Sequence, residues 1–186
     1  MKKVLGTIFF VAYAIIAITI TILLLSYNEY MCSEINGYTL YIVKDDTLEP
    51  DYIKGDLLII RQASDRNIEI GDKLYLYQNV TSSEYYVKYG ELTDKTVQGN
   101  RTIYTIDGQY QFDSSYLIGK EDGTLVYHKL GTILGLLESR WGYLFFIVIV
   151  TLLLFLEELY ELYIEIKYGE HEEDNTPKKE VKEGNA

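Results

Sequence analysis

The chain has 186 residues, a net charge of −11 and a single cysteine, Cys32. An acidic chain without a clustered basic face is unsuited to nucleic acid. A lone cysteine excludes an internal disulfide, and Cys32 has neither metal-ligand spacing nor the small residues that precede a lipid-attachment site. We therefore expect no nucleic-acid partner and no special role for Cys32.

The first element in the chain is an apolar run from Val4 to Leu25, twenty-two residues without a charge. As a helix rising about 1.5 Å per residue it reaches roughly 33 Å, enough to cross the hydrocarbon core of a bilayer. The alternative is a cleaved secretory signal, whose apolar region is shorter, about 7 to 15 residues, and ends in a small-x-small site. This run instead continues into Ser-Tyr-Asn-Glu-Tyr, so we predict an uncleaved transmembrane anchor over residues 1–27.

Short runs rich in Tyr, Ile, Val and Thr follow, separated by Gly, Asp, Asn and Ser. They are residues 38–43, 56–61, 73–78, 84–92, 101–106 and 115–120. Such residues favour strands, and no helical period of useful length appears before Leu130. We predict a mostly β fold, with a mostly antiparallel β-rich domain over residues 28–138 between an N-terminal and a C-terminal transmembrane helix.

A second apolar run extends from Trp141 to Leu156. Its sixteen residues reach only about 24 Å, so the helix must include flanking residues, and the helical spacing of apolar residues beyond Leu156 predicts an amphipathic extension. We predict this second transmembrane helix over residues 139–167. The alternative, a buried hairpin of a soluble protein, would leave nothing in the chain to cover two such helices.

The orientation in the membrane follows from Lys2 and Lys3, which precede the first span. By the positive-inside rule they keep the N-terminus in the cytoplasm, and two spans return the C-terminus to the same side. We therefore predict a cell-membrane protein whose β domain is extracytoplasmic. Residues 168–186 would form a charged cytoplasmic tail without fixed structure.

The order of the motifs is more specific than any single one. TLEPDYIKGDLLII, with a hydroxyl residue three positions before a proline, is followed by IGDKLYLY, by YYVK and by FDSSYLIGK before the last apolar run. Over nearly the whole chain this order resembles signal peptidase I, in the two-span branch of Gram-positive bacteria, archaea and the endoplasmic reticulum. The resemblance implies a signal peptidase-like β domain at the outer membrane face. It also implies an endopeptidase that removes signal peptides from exported preproteins at small-x-small sites, without a metal or cofactor.

The resemblance also implies roles for individual residues. Thr47 falls on the nucleophilic serine of the family's Ser-Met-x-Pro box, Leu48 on its methionine and Pro50 on its proline. Lys88, in YYVK, falls on the general base, which is lysine in the typical bacterial branch and histidine in the two-span branch. Lys88 therefore matches the typical bacterial branch, whereas the two-span architecture matches the other branch.

Acidic residues surround these positions. In the family a small residue often precedes the nucleophile by two positions and helps to hold the oxyanion, but here Asp45 stands there, followed by Asp46. Anionic side chains would oppose a developing oxyanion. The family's acidic box is matched only by TIDGQYQFD, which makes Asp107 and Asp113 the candidate acidic partners, with the Gly-Asp order reversed at Asp107.

Three functions follow as hypotheses. The first is an endopeptidase in which Lys88, desolvated enough to lose its proton, activates Thr47, although the threonine methyl crowds the attack. The second is a non-catalytic homologue that binds exported or pilin-like proteins as an assembly factor, which Asp45 and Asp46 favour. The third is a two-span protein with an unrelated β module, in which Thr47, Lys88 and Asp107 are ordinary turn and strand residues.

Two histidines remain. His128 and His171 have no convergent partners in the sequence, so we assign neither of them a metal or a catalytic role.

Overall fold

The computed structural model describes residues 2–81, 84–99 and 101–173. Its first element is the helix α1, Lys2–Leu25. Two helical segments, Gly6–Leu25 and Arg140–Lys167, are long and apolar enough to cross a membrane. Helix accounts for 41% and strand for 34% of the structure, so the mostly β description holds for the segment between the apolar helices and not for the whole chain.

The segment between the apolar helices forms two antiparallel sheets. Its strands are β1 Ser33–Ile35, β2 Tyr38–Ile42, β3 Leu57–Arg61, β4 Lys73–Thr81, β5 Glu84–Gln98, β6 Arg101–Ile106, β7 Tyr110–Asp113, β8 Leu117–Lys120 and β9 Leu125–Tyr127. One sheet has the order β1-β2-β3-β9 and the other β7-β6-β5-β4-β8. Each predicted strand run overlaps one of these strands.

The differences from the predicted strands have simple causes. β1 and β9 have three residues each, too few to show an alternating pattern. β5 continues to Gln98, beyond the predicted end at residue 92, after a bulge between Leu92 and Asp94. A bulge shifts the alternation by one residue, so the continuation does not follow the pattern of the first half. The last predicted run starts as a 3₁₀ turn, Ser114–Tyr116, before β8.

The two faces of the β4–β5 pair support two hydrophobic cores. The first core contains Leu48, Tyr52, Tyr75, Tyr77, Val87 and Tyr89 together with residues of β2 and β3. The second core contains Ile68, Leu74, Leu76, Leu92, Tyr104 and Ile106. Successive side chains of a strand point to opposite faces, which explains why neighbours such as Leu76 and Tyr77 lie in different cores.

A short helix, α2 (Leu130–Glu138), follows β9 and packs against the loop between β2 and β3. Its first turn lies against Asp56, because the Thr132 amide donates to the Gly55 carbonyl oxygen at 3.1 Å. A Cβ added at Gly131 would lie 2.6 Å from the Asp56 carbonyl oxygen, so only glycine allows this approach.

The described chain after Ser139, residues 140–173, forms a separate unit. It begins with α3 (Arg140–Gly142), continues as a π-helical segment, Tyr143–Ile149, and then as α4 (Val150–Glu173). The prediction of an unstructured tail from residue 168 is wrong for residues 168–173, because α4 runs through them and includes His171. The remainder of the predicted tail, 174–186, lies outside the described residues.

Candidate functional site

The loop between β2 and β3 positions Thr47, the predicted nucleophile. The Thr47 amide donates to Asp45 Oδ1 at 3.1 Å, and the Thr47 hydroxyl donates to the same oxygen at 2.5 Å. This is the local turn that an Asp two residues earlier stabilises. Leu48 is buried in the first core, whereas Asp46 and Pro50 are exposed. The hydroxyl proton of Thr47 is therefore held by a neighbouring carboxylate.

Lys88, the predicted base, lies in the middle of β5. Its Nζ is 3.1 Å from Asp107 Oδ2 and 4.6 Å from the centre of the Tyr110 ring. The close approach of Asp107 depends on Gly90, where a Cβ would lie 2.5 Å from the Asp107 carboxylate. Asp107 also accepts from the Glu91 amide at 3.0 Å. The Lys88 amine is thus engaged by the Asp107 carboxylate and the Tyr110 ring.

Leu48, the neighbour of Thr47, and Lys88 lie on opposite faces of the β4–β5 pair. Lys88 is paired with Leu76, a second-core residue, and cross-strand partners share a face. Leu48, next to Thr47, is instead in the first core with Val87 and Tyr89, the two neighbours of Lys88. Within the described residues, no hydrogen bond joins Thr47 to Lys88. The structure does not bring the predicted dyad together.

The two acidic candidates have different surroundings. Asp107 contacts Lys88 as described, whereas Asp113 accepts from the Ser115 amide at 2.9 Å and lies 3.9 Å from the Arg101 Nε. The Ser115 hydrogen bonds are the main reason why the pKa of Asp113 is lowered. Asp113 caps a 3₁₀ turn, and its described contacts include neither Thr47 nor Lys88.

A pair that the sequence did not predict joins Asp56 to His128. Asp56 is buried, with 1% of its side chain exposed, and its carboxylate oxygens lie 3.1 and 3.2 Å from His128 Nδ1. They also accept from the Ile53 amide at 3.2 Å and the Lys129 amide at 3.4 Å. The expectation that His128 has no partner is therefore wrong. The separation of 72 residues hid the pair, since only folding of β9 onto β3 brings the two residues together.

From the environment of Asp56 we predict that the folded protein loses stability in acid. Burial acts to raise its pKa, but hydrogen bonds from the Ile53 amide, His128 and the Lys129 amide together lower the pKa below its ordinary value of 3.8. A lowered folded-state pKa contributes stability that is present above the unfolded value and is lost as the pH falls through the folded value. Thermal unfolding of the full-length protein in detergent, followed by tyrosine circular dichroism from about pH 6 to about pH 3, should show a falling midpoint. The unfolding midpoint of the Asp56→Asn variant should fall less over the same pH range. If its midpoint fell as steeply as that of the wild type, Asp56 would not be a cause of the acid destabilisation.

A narrow cleft lined by tyrosines, with a cavity volume of about 40 Å³, lies beside the end of α1. Its lining comes from the α1–β1 turn, β2, the β4–β5 pair and α2, and includes Tyr27, Tyr30, Met31, Tyr41, Ile42, Lys44, Tyr77, Tyr85, Tyr86, Val87, Leu134 and Glu138. The Tyr30 ring stacks on Tyr77 at 3.9 Å between centres and meets Tyr85 edge-on at 5.0 Å. The rings therefore form one connected aromatic wall.

Charged groups of both signs complete the cleft. Glu138 accepts from the Tyr27 hydroxyl at 2.9 Å, and Lys44 also lies in the lining. Burial raises the pKa of Glu138, although the Tyr27 hydrogen bond and Lys44 act in the opposite direction. Burial also raises the pKa of Tyr30 to about 12. The cleft thus offers apolar ring faces, tyrosine hydroxyls, one lysine and one carboxyl group.

In the described ranges no group of three or more His, Cys, Asp or Glu side chains could hold a metal ion. Comparison of the chain with models of protein families, with curated proteins and with solved structures finds no match.

Proposed function

We propose that this chain is a signal peptidase-like membrane protein that binds exported protein chains at the tyrosine-lined cleft without cutting them. The observation that carries the proposal is the cleft itself, a connected wall of tyrosine rings with Lys44 and Glu138 at the point where α1 ends. Tyrosine supplies a large amphipathic contact area at low cost in side-chain entropy, which suits recognition of varied peptides.

The backbone beside the cleft offers a second means of binding. β1 pairs with β2 only over Tyr38–Leu40, so in the described chain no strand lies beside Tyr41 and Ile42 on that edge. Both residues line the cleft. An unpaired strand edge can accept an extended peptide as an added strand, with side-chain pockets for alternate residues. An exported chain leaving a membrane in extended form has the required shape.

The surroundings of Thr47 and Lys88 favour binding over cleavage. Each of the two side chains is engaged by its own aspartate, Asp45 and Asp107, and alternation along β5 points Lys88 away from the first core. Activation of a hydroxyl requires the base within hydrogen-bond reach. The endopeptidase hypothesis remains a prediction that the same experiment tests.

A photo-crosslinking experiment tests the proposed function. Full-length protein in vesicles would carry benzoylphenylalanine in place of Tyr85, in the cleft, or of Tyr110, a matched exposed tyrosine beside Lys88. We expect a preprotein with an Ala-x-Ala site to crosslink at position 85 and not at position 110, and to remain uncut.

Two results would count against the proposal. Equal crosslinking at both positions would show that the cleft is not the binding site. Cleavage by the wild type that is lost in both Thr47→Ala and Lys88→Ala would establish the endopeptidase hypothesis in its place.

A further inference from the structure

The two faces of the helix α2 have different surroundings. One face packs on the β domain, with Gly131 against Asp56 and Leu134 in the cleft wall. The other face exposes three large apolar side chains, those of Leu130, Ile133 and Leu136, and Ile133 keeps 59% of its surface exposed. A spacing of three residues places these side chains along one side of the helix.

This outward face differs from the surface of an ordinary soluble domain. The helix reads LGTILGLLE, and its single charged residue is Glu138, at the last position. Surface helices normally place charged and polar residues opposite their core face. Exposing three large apolar side chains to water is unfavourable, and covering them with an apolar partner would be favourable.

The position of α2 identifies what covers this face. The apolar part of α1, Gly6–Leu25, is about 30 Å long as a helix and fills the hydrocarbon core, so Leu25 lies at its edge. Tyr27 follows two residues later, and tyrosine is enriched at the membrane–water interface. Because the Tyr27 hydroxyl donates to Glu138, the end of α2 lies at the same level.

Along the chain, Ser139 ends α2 and the second apolar helix begins at the next residue, Arg140. The hydrogen bond to Tyr27 therefore holds the C-terminal end of α2 at the level where α1 ends.

We propose that α2 lies in the bilayer interface, with Leu130, Ile133 and Leu136 inserted at the boundary between headgroups and acyl chains. The partner is the lipid surface of the same membrane that the two apolar helices cross. This inference rests on the membrane location and is independent of what the cleft binds. Since Leu134 and Glu138 line the cleft from the same helix, α2 would also hold the cleft at the membrane surface.

Fluorescence quenching by lipid tests this placement. Trp141 is the only tryptophan of the chain, so a Trp141→Phe background gives a dark protein into which Ile133→Trp is introduced. The matched control is Val97→Trp, because Val97 is 70% exposed on β5. Val87 of the same strand lines the cleft beside Leu134, and ten residues at about 3.3 Å each put position 97 roughly 33 Å further along.

We expect lipids brominated high on the acyl chains to remove about half of the fluorescence of the Ile133→Trp protein in vesicles, because interfacial helices bury their apolar face roughly 5–10 Å deep. The Val97→Trp protein should lose almost none. Leu136→Trp provides a second reporter on the same face, and tyrosine circular dichroism verifies that each variant is folded.

Two outcomes would overturn the proposal. If both α2 reporters are quenched by aqueous acrylamide and not by brominated lipid, the face lies in water. If they are shielded from both quenchers, another protein or a second copy covers it. The two quenching assays use no peptide. A negative result in them therefore leaves the crosslinking test of the cleft unaffected.

Discussion

Replacing Asp56 by alanine should lower the free energy of unfolding by about 3 kcal/mol, whereas the same change at Asp72 should cost about 1 kcal/mol or less. Both aspartates follow a glycine and precede a strand, so the sequence presents them as equivalent turns. In the structure, the two carboxylates bind different partners.

The Asp56 carboxylate is buried and joins three parts of the chain. It accepts from the Ile53 amide in its own loop, and from His128 and the Lys129 amide between β9 and α2. Its removal takes the shared acceptor away from the part-buried Ile53 and Lys129 amides and separates the loop from α2, which is why the cost is large. Asp72 accepts from the Glu69 amide at 2.9 Å within its own turn and lies 3.7 Å from Lys120 Nζ, where both side chains are partly exposed to water. Water can replace that acceptor.

The comparison is made by thermal and urea unfolding of full-length protein in detergent, with tyrosine circular dichroism as the signal. Asp56→Asn, which keeps one acceptor oxygen, should fall between Asp56→Ala and the wild type. If Asp56→Ala and Asp72→Ala were equally stable, the contacts of the buried Asp56 carboxylate with His128 and the two amides would have no stabilising role.

The sequence was sufficient for the elements whose pattern is local. The apolar runs predicted the two long helices, and strand-forming runs predicted six of the strands near their observed positions. β1, β7 and β9 were missed because three or four residues carry no clear period, yet β9 is the strand that brings His128 to Asp56. Pairing over long separations depends on tertiary contacts that a local pattern does not contain.

The candidate site was less predictable, because motif order does not determine the face of a strand. A shift of one residue in register moves every side chain to the other face, so YYVK alone could not show on which side Lys88 lies. The nineteen tyrosines pose a similar problem. Tyr75 and Tyr104 are fully buried, with their hydroxyls bonded to Tyr52 and Asp65, whereas Tyr30 and Tyr85 form the cleft wall. All carry the same local signature of a strand or turn.

The two glycines of α2 should respond to alanine in opposite directions. Gly131→Ala should destabilise the protein by about 2 kcal/mol, since a new Cβ would lie 2.6 Å from the Asp56 carbonyl oxygen and 2.8 Å from that of Gly55. Backbone atoms cannot rotate away as a flexible side chain can, so α2 must move off the loop. Gly135→Ala should stabilise by about 1 kcal/mol, because alanine is the better helix former and its Cβ would meet Ile42 at an ordinary 3.6 Å.

Unfolding in detergent measures both changes, and crosslinking at position 85 measures their consequence for the cleft. Leu134 and Glu138 reach the cleft only while α2 is seated on Asp56, so Gly131→Ala should weaken peptide crosslinking, and Gly135→Ala should retain it. Equal stability of the two variants would mean that α2 does not pack on this loop. Loss of stability in Gly131→Ala with undiminished crosslinking would mean that the cleft forms without α2, and that the peptide contacts the tyrosines of the β domain alone.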